Sequence, residues 1–97
     1  MTARDRRLRK TYGLTEAQWN KMYELGKRRC WICGAPGHKG PSTNKKRRLY
    51  TEHDHHTGRV RGLADRYCNK FLIGRHTAET ARKVAAYLES DFDGRNL

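Results

Sequence analysis

Three cysteines constrain this chain more than any other feature. Cys30 and Cys33 are separated by two residues, and Cys68 follows Cys33 by 35 positions. A Cys-x2-Cys turn allows two thiolates to bind one metal ion at about 2.3 Å. Three cysteines cannot pair completely in disulfides, and in a reducing compartment they are more typical of metal ligands. The spacing therefore predicts a structural zinc site that joins two distant parts of the chain.

The composition explains why the chain needs such a site. Only 35% of its 97 residues are hydrophobic, so the apolar core must be small, and short domains often depend on a metal for stability. We predict a single domain over residues 1–97, with a basic leader at 1–14 and a frayed tail at 91–97. No stretch approaches the roughly 18 apolar residues of a membrane-spanning helix, and no membrane partner is expected.

The fourth zinc ligand is open at this stage, because structural zinc almost always has four ligands and the chain has no fourth cysteine. Asp65 precedes Cys68 by three positions and repeats the Cys-x2-Cys spacing with a carboxylate. His38 follows Cys33 by five positions and is able to fold back over the turn, while His76 is more distant. We favour Asp65, with His38 and His76 as alternatives. Three free cysteines without a metal are the simplest competing interpretation.

The charge of the chain indicates a polyanionic partner. Lys and Arg number 22 against 10 Asp and Glu, which gives a formal net charge of +12. DNA and RNA are the commonest polyanions that a basic domain binds. Seven basic residues are predicted to bind phosphates: Lys45, Lys46, Arg47, Arg48, Arg59, Arg61 and Arg66.

Two helices are predicted from capping residues and apolar spacing. Thr15 and Gln18 form a capping-box pattern, which predicts a helix over residues 15–25 with its apolar face in the core. A final helix is expected after Thr77, where apolar residues recur with helical spacing: Ala81, Val84, Ala85 and Leu88.

A β-hairpin rich in histidine is predicted between these helices. Strand-like segments at 49–54 and 59–63 flank a turn, and a short helix is expected over 65–73. Alternate strand residues face opposite sides, so His53 and His55 should point away from their acidic neighbours. Five ionisable residues in a row are rarely only structural, because buried charges must be paired: Glu52, His53, Asp54, His55 and His56. An exposed polar turn is the simpler alternative.

Two segments of the chain resemble one protein family. The stretch EHDHHTGRVRGLADRYCN, residues 52–69, resembles the signature of phage recombination endonuclease VII enzymes, a branch of the HNH or ββα-metal nucleases. The stretch TYGLTEAQWNKMYELGKRRCWIC, residues 11–33, resembles the family's N-terminal part. The resemblance implies a small α+β protein with the ββα-metal (HNH) fold and a zinc knuckle. A helix would precede this unit and another would follow it.

The resemblance also implies roles for four residues. His53 would be the general base that deprotonates the attacking water, and His55 would support the phosphate or the hairpin. Glu52 and Asn69 would bind a catalytic Mg²⁺ or Mn²⁺, which suits the preference of Mg²⁺ for oxygen ligands. Two positions depart from the family pattern, since Glu52 replaces an aspartate and Asp65 replaces a cysteine.

The sequence therefore predicts a zinc-stabilised HNH endonuclease that hydrolyses DNA phosphodiester bonds in the presence of Mg²⁺ or Mn²⁺. Its products would carry 5′-phosphate and 3′-hydroxyl ends, and it would act as a monomer or oligomer in the cytoplasm of a phage-infected bacterium. A non-catalytic zinc-binding module for nucleic acid explains the charge and the cysteines equally well. It does not explain why Glu52, His53 and Asn69 occur together.

Overall fold

A two-stranded antiparallel sheet forms the centre of this small α+β protein. The computed structural model describes residues 1–39 and 47–97. Strand β1 is Leu49–His53 and strand β2 is Val60–Asp65, and they pair with Leu49 opposite Asp65. The register shifts by one residue next to Glu52, where a β-bulge lies. The predicted hairpin is confirmed, and β2 continues two residues further than the sequence indicated.

Asp54 shapes the turn between the strands. Its carboxylate accepts hydrogen bonds from the backbone N–H groups of His56 at 2.7 Å and Thr57 at 3.2 Å. These bonds hold the pKa of Asp54 below its usual range. Part of the predicted ionisable cluster is thus explained by the turn itself.

Two helices precede the sheet. Helix α1, Ala3–Tyr12, occupies the segment predicted as a basic leader, and its Leu8 is buried in the core. Helix α2, Glu16–Leu25, begins at the capping box of Thr15 and Gln18, as predicted. The polar composition of this segment gave no sign that α1 packs against the core, since only one face of the helix contributes to it.

The core lies between α2, the sheet and the cysteines. Trp19 of α2 is 2% exposed, and its Nε1 donates a hydrogen bond of 3.0 Å to Oγ1 of Thr51. The other buried apolar residues are Leu8, Cys30, Leu49, Leu63, Ala64 and Cys68. The small number of buried apolar residues agrees with the prediction of a small core.

The helical segments after β2 complete the described chain. The helical segment after β2 begins at Arg66, one residue after the predicted start because β2 extends to Asp65, and it continues as a π-helix over Cys68–Ile73. Helix α3, Ala78–Leu88, begins after Thr77 as predicted. Its predicted apolar face is exposed, with Val84 at 52% and Leu88 at 74%. No helix within residues 1–39 and 47–97 has the length and apolar character needed to cross a membrane.

Candidate metal centre and basic cleft

Four potential metal ligands meet at one point beside the sheet. The Sγ atoms of Cys30, Cys33 and Cys68 and a carboxylate oxygen of Asp65 all lie within 4.8 Å of one another. Cys30 and Cys33 lie in a turn after α2, while Asp65 ends β2 and Cys68 begins the π-helix. Gly34 closes the turn with a left-handed φ of 78°. The cluster joins the two halves of the chain, as the cysteine spacing predicted.

Asp65 is held within this cluster by the groups around it. Its Oδ1 accepts a hydrogen bond of 2.8 Å from the backbone N–H of Cys68, and Cys33 Sγ donates to its Oδ2 at 3.1 Å. Cys30 Sγ accepts the backbone N–H of Asp65 at 3.4 Å. Three thiolates and one carboxylate form a donor set that zinc accepts, so these residues fit a tetrahedral zinc ion.

The surroundings of the cluster shift the pKa values of its thiols in different directions. Burial raises the pKa of Cys30, but backbone N–H groups led by that of Cys33 outweigh burial and lower it overall. Burial and the neighbouring Cys33 and Asp65 raise the pKa of Cys68 well above its usual value. Because zinc binds thiolates, its binding at this cluster would release the protons that such thiols retain.

The two histidines considered as alternative ligands lie elsewhere. The backbone of His38 lies in a short β-bridge. Its N–H donates a hydrogen bond to the carbonyl of Arg47, and its carbonyl accepts one from the N–H of Leu49. His76 lines a cavity with Trp31 and Leu72. Neither histidine belongs to the ligand cluster found within the described residues. The geometry therefore favours Asp65, the alternative preferred from its spacing.

A second cluster of predicted site residues lines an open cleft of about 460 Å³. His53 comes from the end of β1, His55 from the turn and Asn69 from the π-helix. The ring of His53 lies 4.7 Å from that of His55 and 5.4 Å from that of Tyr12, measured between centroids. Three of the four residues predicted to be catalytic therefore share one cleft.

Cationic side chains surround these three residues. Arg66, Lys70 and Arg75 line the cleft, and no Asp or Glu of the described residues does so. Only Arg66 was predicted from the sequence to bind phosphate. Lys70 directly follows Asn69 in the sequence, and Arg75 directly follows Gly74 at the end of the π-helix. These positions were the signal from which Lys70 and Arg75 could have been predicted as phosphate ligands. A cleft with this charge favours a phosphate group.

Glu52 occupies a different environment. It is 5% exposed and accepts two hydrogen bonds from Arg61, one of them from Nε at 2.9 Å. The two residues line a separate cavity with Trp31 and Gly62. In this arrangement Glu52 and Asn69 do not face a common space, so the pair does not fit a divalent cation.

The remaining predicted phosphate ligands are dispersed. Lys45 and Lys46 lie outside the described residues. Arg61 is engaged by Glu52, and its pKa is raised by that contact. Arg48 lies over the ring of Tyr50 at 5.4 Å, while Arg47 and Arg59 are exposed.

The fold and site define a small α+β protein with a Cys3Asp cluster able to hold a metal and a separate basic cleft containing histidines. The family model of recombination endonuclease VII matches residues 5–90, and the chain belongs to that family. It is 37% identical over 89 residues to the Gene 59 protein of Mycobacterium phage L5 and 36% identical to that of Mycobacterium phage D29. Each match covers 90% of this chain.

The chain spans about half the length of these curated relatives, 51% of the first and 50% of the second. No solved structure matches it.

Proposed function

We propose that this protein is an HNH-type endonuclease that hydrolyses phosphodiester bonds of DNA in a phage-infected cell. The observation that carries the proposal is the meeting of His53, His55 and Asn69 in one basic cleft. Membership of the recombination endonuclease VII family supports the same reaction class. The hairpin and the following π-helix would then be the ββα unit of the HNH fold.

His53 is the proposed general base. A neutral imidazole takes a proton from water, whose oxygen forms a bond to phosphorus while the bond to the 3′-oxygen breaks. The 3′-oxygen leaves with a proton from solvent, which gives 5′-phosphate and 3′-hydroxyl ends. Packing of His53 against Tyr12 and His55 restricts the orientation of its ring.

The cationic residues of the cleft have a distinct part in the proposal. Arg66, Lys70 and Arg75 would bind the scissile phosphate and stabilise the negative charge that develops on its oxygens. His55 would hold the same phosphate or its neighbour. Zinc at the Cys3Asp cluster would keep the π-helix, and with it Asn69, in place against the sheet.

The family resemblance implies a catalytic Mg²⁺ or Mn²⁺ held by Glu52 and Asn69. This pair does not fit the ion while Glu52 is bound to Arg61. Because the observed arrangement does not bring the two together, no step of the mechanism is assigned to the ion.

The second candidate is a non-catalytic zinc-binding module that binds nucleic acid. The engagement of Glu52 by Arg61 favours it, since the cleft then lacks a carboxylate. Such a module would use the same basic residues but would leave its nucleic acid intact.

The experiment that separates the two candidates compares substrates and cations. Zinc-loaded protein is incubated with duplex DNA, branched DNA and RNA in Mg²⁺, in Mn²⁺ or without either ion, and binding is measured on the same oligonucleotides. The nuclease predicts cleavage of DNA in one of these divalent cations and none without them. Binding without cleavage in every condition would support the non-catalytic module.

A further inference from the structure

We propose that helix α1 and strand β1 extend the histidine cleft into a longer groove. This groove holds the stretch of the DNA strand that flanks the scissile phosphate. This inference rests on the proposed function and specifies its substrate contacts. The groove consists of the cleft and of a neighbouring cavity of about 230 Å³. Arg4 and Arg7 of α1, together with Lys39 and Arg48, are the cationic residues of the second cavity.

The two cavities adjoin each other. Tyr12, Tyr50 and Thr51 line both of them and form the surface that they share. Tyr12 ends α1 and also contacts the ring of His53, which connects α1 to the proposed general base. A strand lying over these residues would pass from the catalytic cleft directly onto α1.

The charge along this groove has one sign. Four cationic residues line the second cavity and three line the cleft, and no Asp or Glu of the described residues lines either. Burial lowers the pKa of Arg4, Glu16 opposes this, and the nearby charges of Arg48 and Arg7 lower it further. Such crowding of like charges is relieved when an anion binds between them.

The individual cations differ in how free they are to bind an anion. Arg4 donates a hydrogen bond of 2.6 Å to the carbonyl of Lys39 and lies 3.5 Å from Glu16, so it is partly neutralised. Arg48 is stacked on Tyr50, which leaves its N–H groups available. Arg7 is exposed and has no hydrogen bond or ion pair with the described residues.

A DNA strand is the occupant assigned to this groove. Its phosphates repeat at regular intervals, and cationic residues line both cavities that share Tyr12 and Tyr50. The groove also includes the cleft to which phosphodiester hydrolysis is assigned. The alternative occupant is an acidic protein segment, which the experiment includes.

The test measures binding of a fluorescent duplex DNA by anisotropy over a salt series in buffer without added Mg²⁺ or Mn²⁺, so that the zinc site stays intact and the proposed cation-dependent cleavage does not contribute. We expect the double variant Arg7→Ala with Arg48→Ala to bind more weakly. The slope of log K against log salt should become shallower by about 1 per arginine removed. The control is Arg6→Ala, an exposed arginine of the same helix outside the groove, whose slope should stay at the wild-type value.

Three results would overturn the groove. One is an equal slope for the double variant and Arg6→Ala when both retain the wild-type zinc content and helical circular dichroism. Another is a slope that also falls in Arg6→Ala, which would indicate a diffuse charge effect. The third is poly-glutamate binding as tightly as DNA with the same dependence on Arg7 and Arg48, which would indicate an acidic protein partner. Because binding is measured without Mg²⁺ or Mn²⁺, loss of the groove and absence of nuclease activity are separate outcomes.

Discussion

Neighbouring residues of β1 have opposite roles because a strand alternates its side chains. His53 faces the basic cleft, which His55 reaches from the turn, whereas Glu52 faces Arg61 in a separate cavity. Strand alternation predicted this separation from the sequence. The family resemblance instead required Glu52 and Asn69 to share an ion. The sequence could not resolve this conflict because the β-bulge that brings Arg61 beside Glu52 depends on the pairing of the strands.

The ion pair of Glu52 and Arg61 should stabilise the hairpin. We expect Glu52→Gln and Arg61→Gln each to lower the free energy of unfolding by about 1–3 kcal/mol, since each leaves a buried or half-buried partner unpaired. Because Arg61 is partly exposed, we expect the loss of unfolding free energy to lie toward the lower end of this range. Urea unfolding of both single variants and the double variant measures the coupling. Strictly additive effects would show that the pair contributes no stabilising interaction.

Asp65 should control zinc affinity. Asp65→Ala removes one of four ligands, and we expect at least a tenfold loss of zinc affinity in competition with a chromophoric chelator. Asp65→Cys should retain one zinc per chain because it supplies a thiolate at the same position. His38→Ala is the matched control and should also retain zinc. Loss of zinc in His38→Ala with retention in Asp65→Ala would reverse the ligand assignment.

At the scale of elements, the starts of helices were predicted correctly where a capping residue marks them in the sequence. The capping box placed α2, and Thr77 placed α3. Helix α1 was not recognised as part of the core, because its stability depends on tertiary contacts. Asp5 accepts a hydrogen bond of 2.7 Å from the backbone N–H of Glu16, and Leu8 enters the core. The helix after β2 was predicted from residue 65, and the backbone N–H of Cys68 donates a hydrogen bond to the Asp65 carboxylate where the π-helix starts.

The contact between α1 and α2 should respond to acid. The backbone N–H of Glu16, then the guanidinium of Arg9, hold the pKa of Asp5 below its usual value of about 3.9. Its stabilising effect is complete above that value and is lost as the pH falls through the lower, folded-state pKa. The stability difference between wild type and Asp5→Asn should therefore narrow below about pH 4.

Urea unfolding from pH 6 to 2.5 measures this difference. Glu24→Gln on α2 is the control, since Glu24 and Arg28 form an exposed pair that contributes little. A gap between wild type and Asp5→Asn that stays constant across this range would contradict the role of Asp5.

At the scale of the whole molecule, the metal cluster and the basic cleft each combine residues of the hairpin and of the π-helix that follows it. The cysteine spacing predicted the cluster because zinc binds only a few residue types at typical spacings, and these can be recognised in the sequence. The groove could not be predicted, because Arg7, Arg48 and Arg66 come from segments that approach only in the folded chain. Net charge indicated an acidic partner without indicating which side of the molecule would bind it.

The central claim is that His53 acts as a general base on DNA. The most direct test is cleavage of supercoiled plasmid by wild type, His53→Ala and His56→Ala, each adjusted to the same zinc content. His56 is an exposed histidine of the same turn that does not line the cleft, so its variant controls for changes to the hairpin. We expect His53→Ala to lose at least a hundredfold in cleavage rate and His56→Ala to retain the wild-type rate. Equal cleavage by wild type and His53→Ala would contradict the claim.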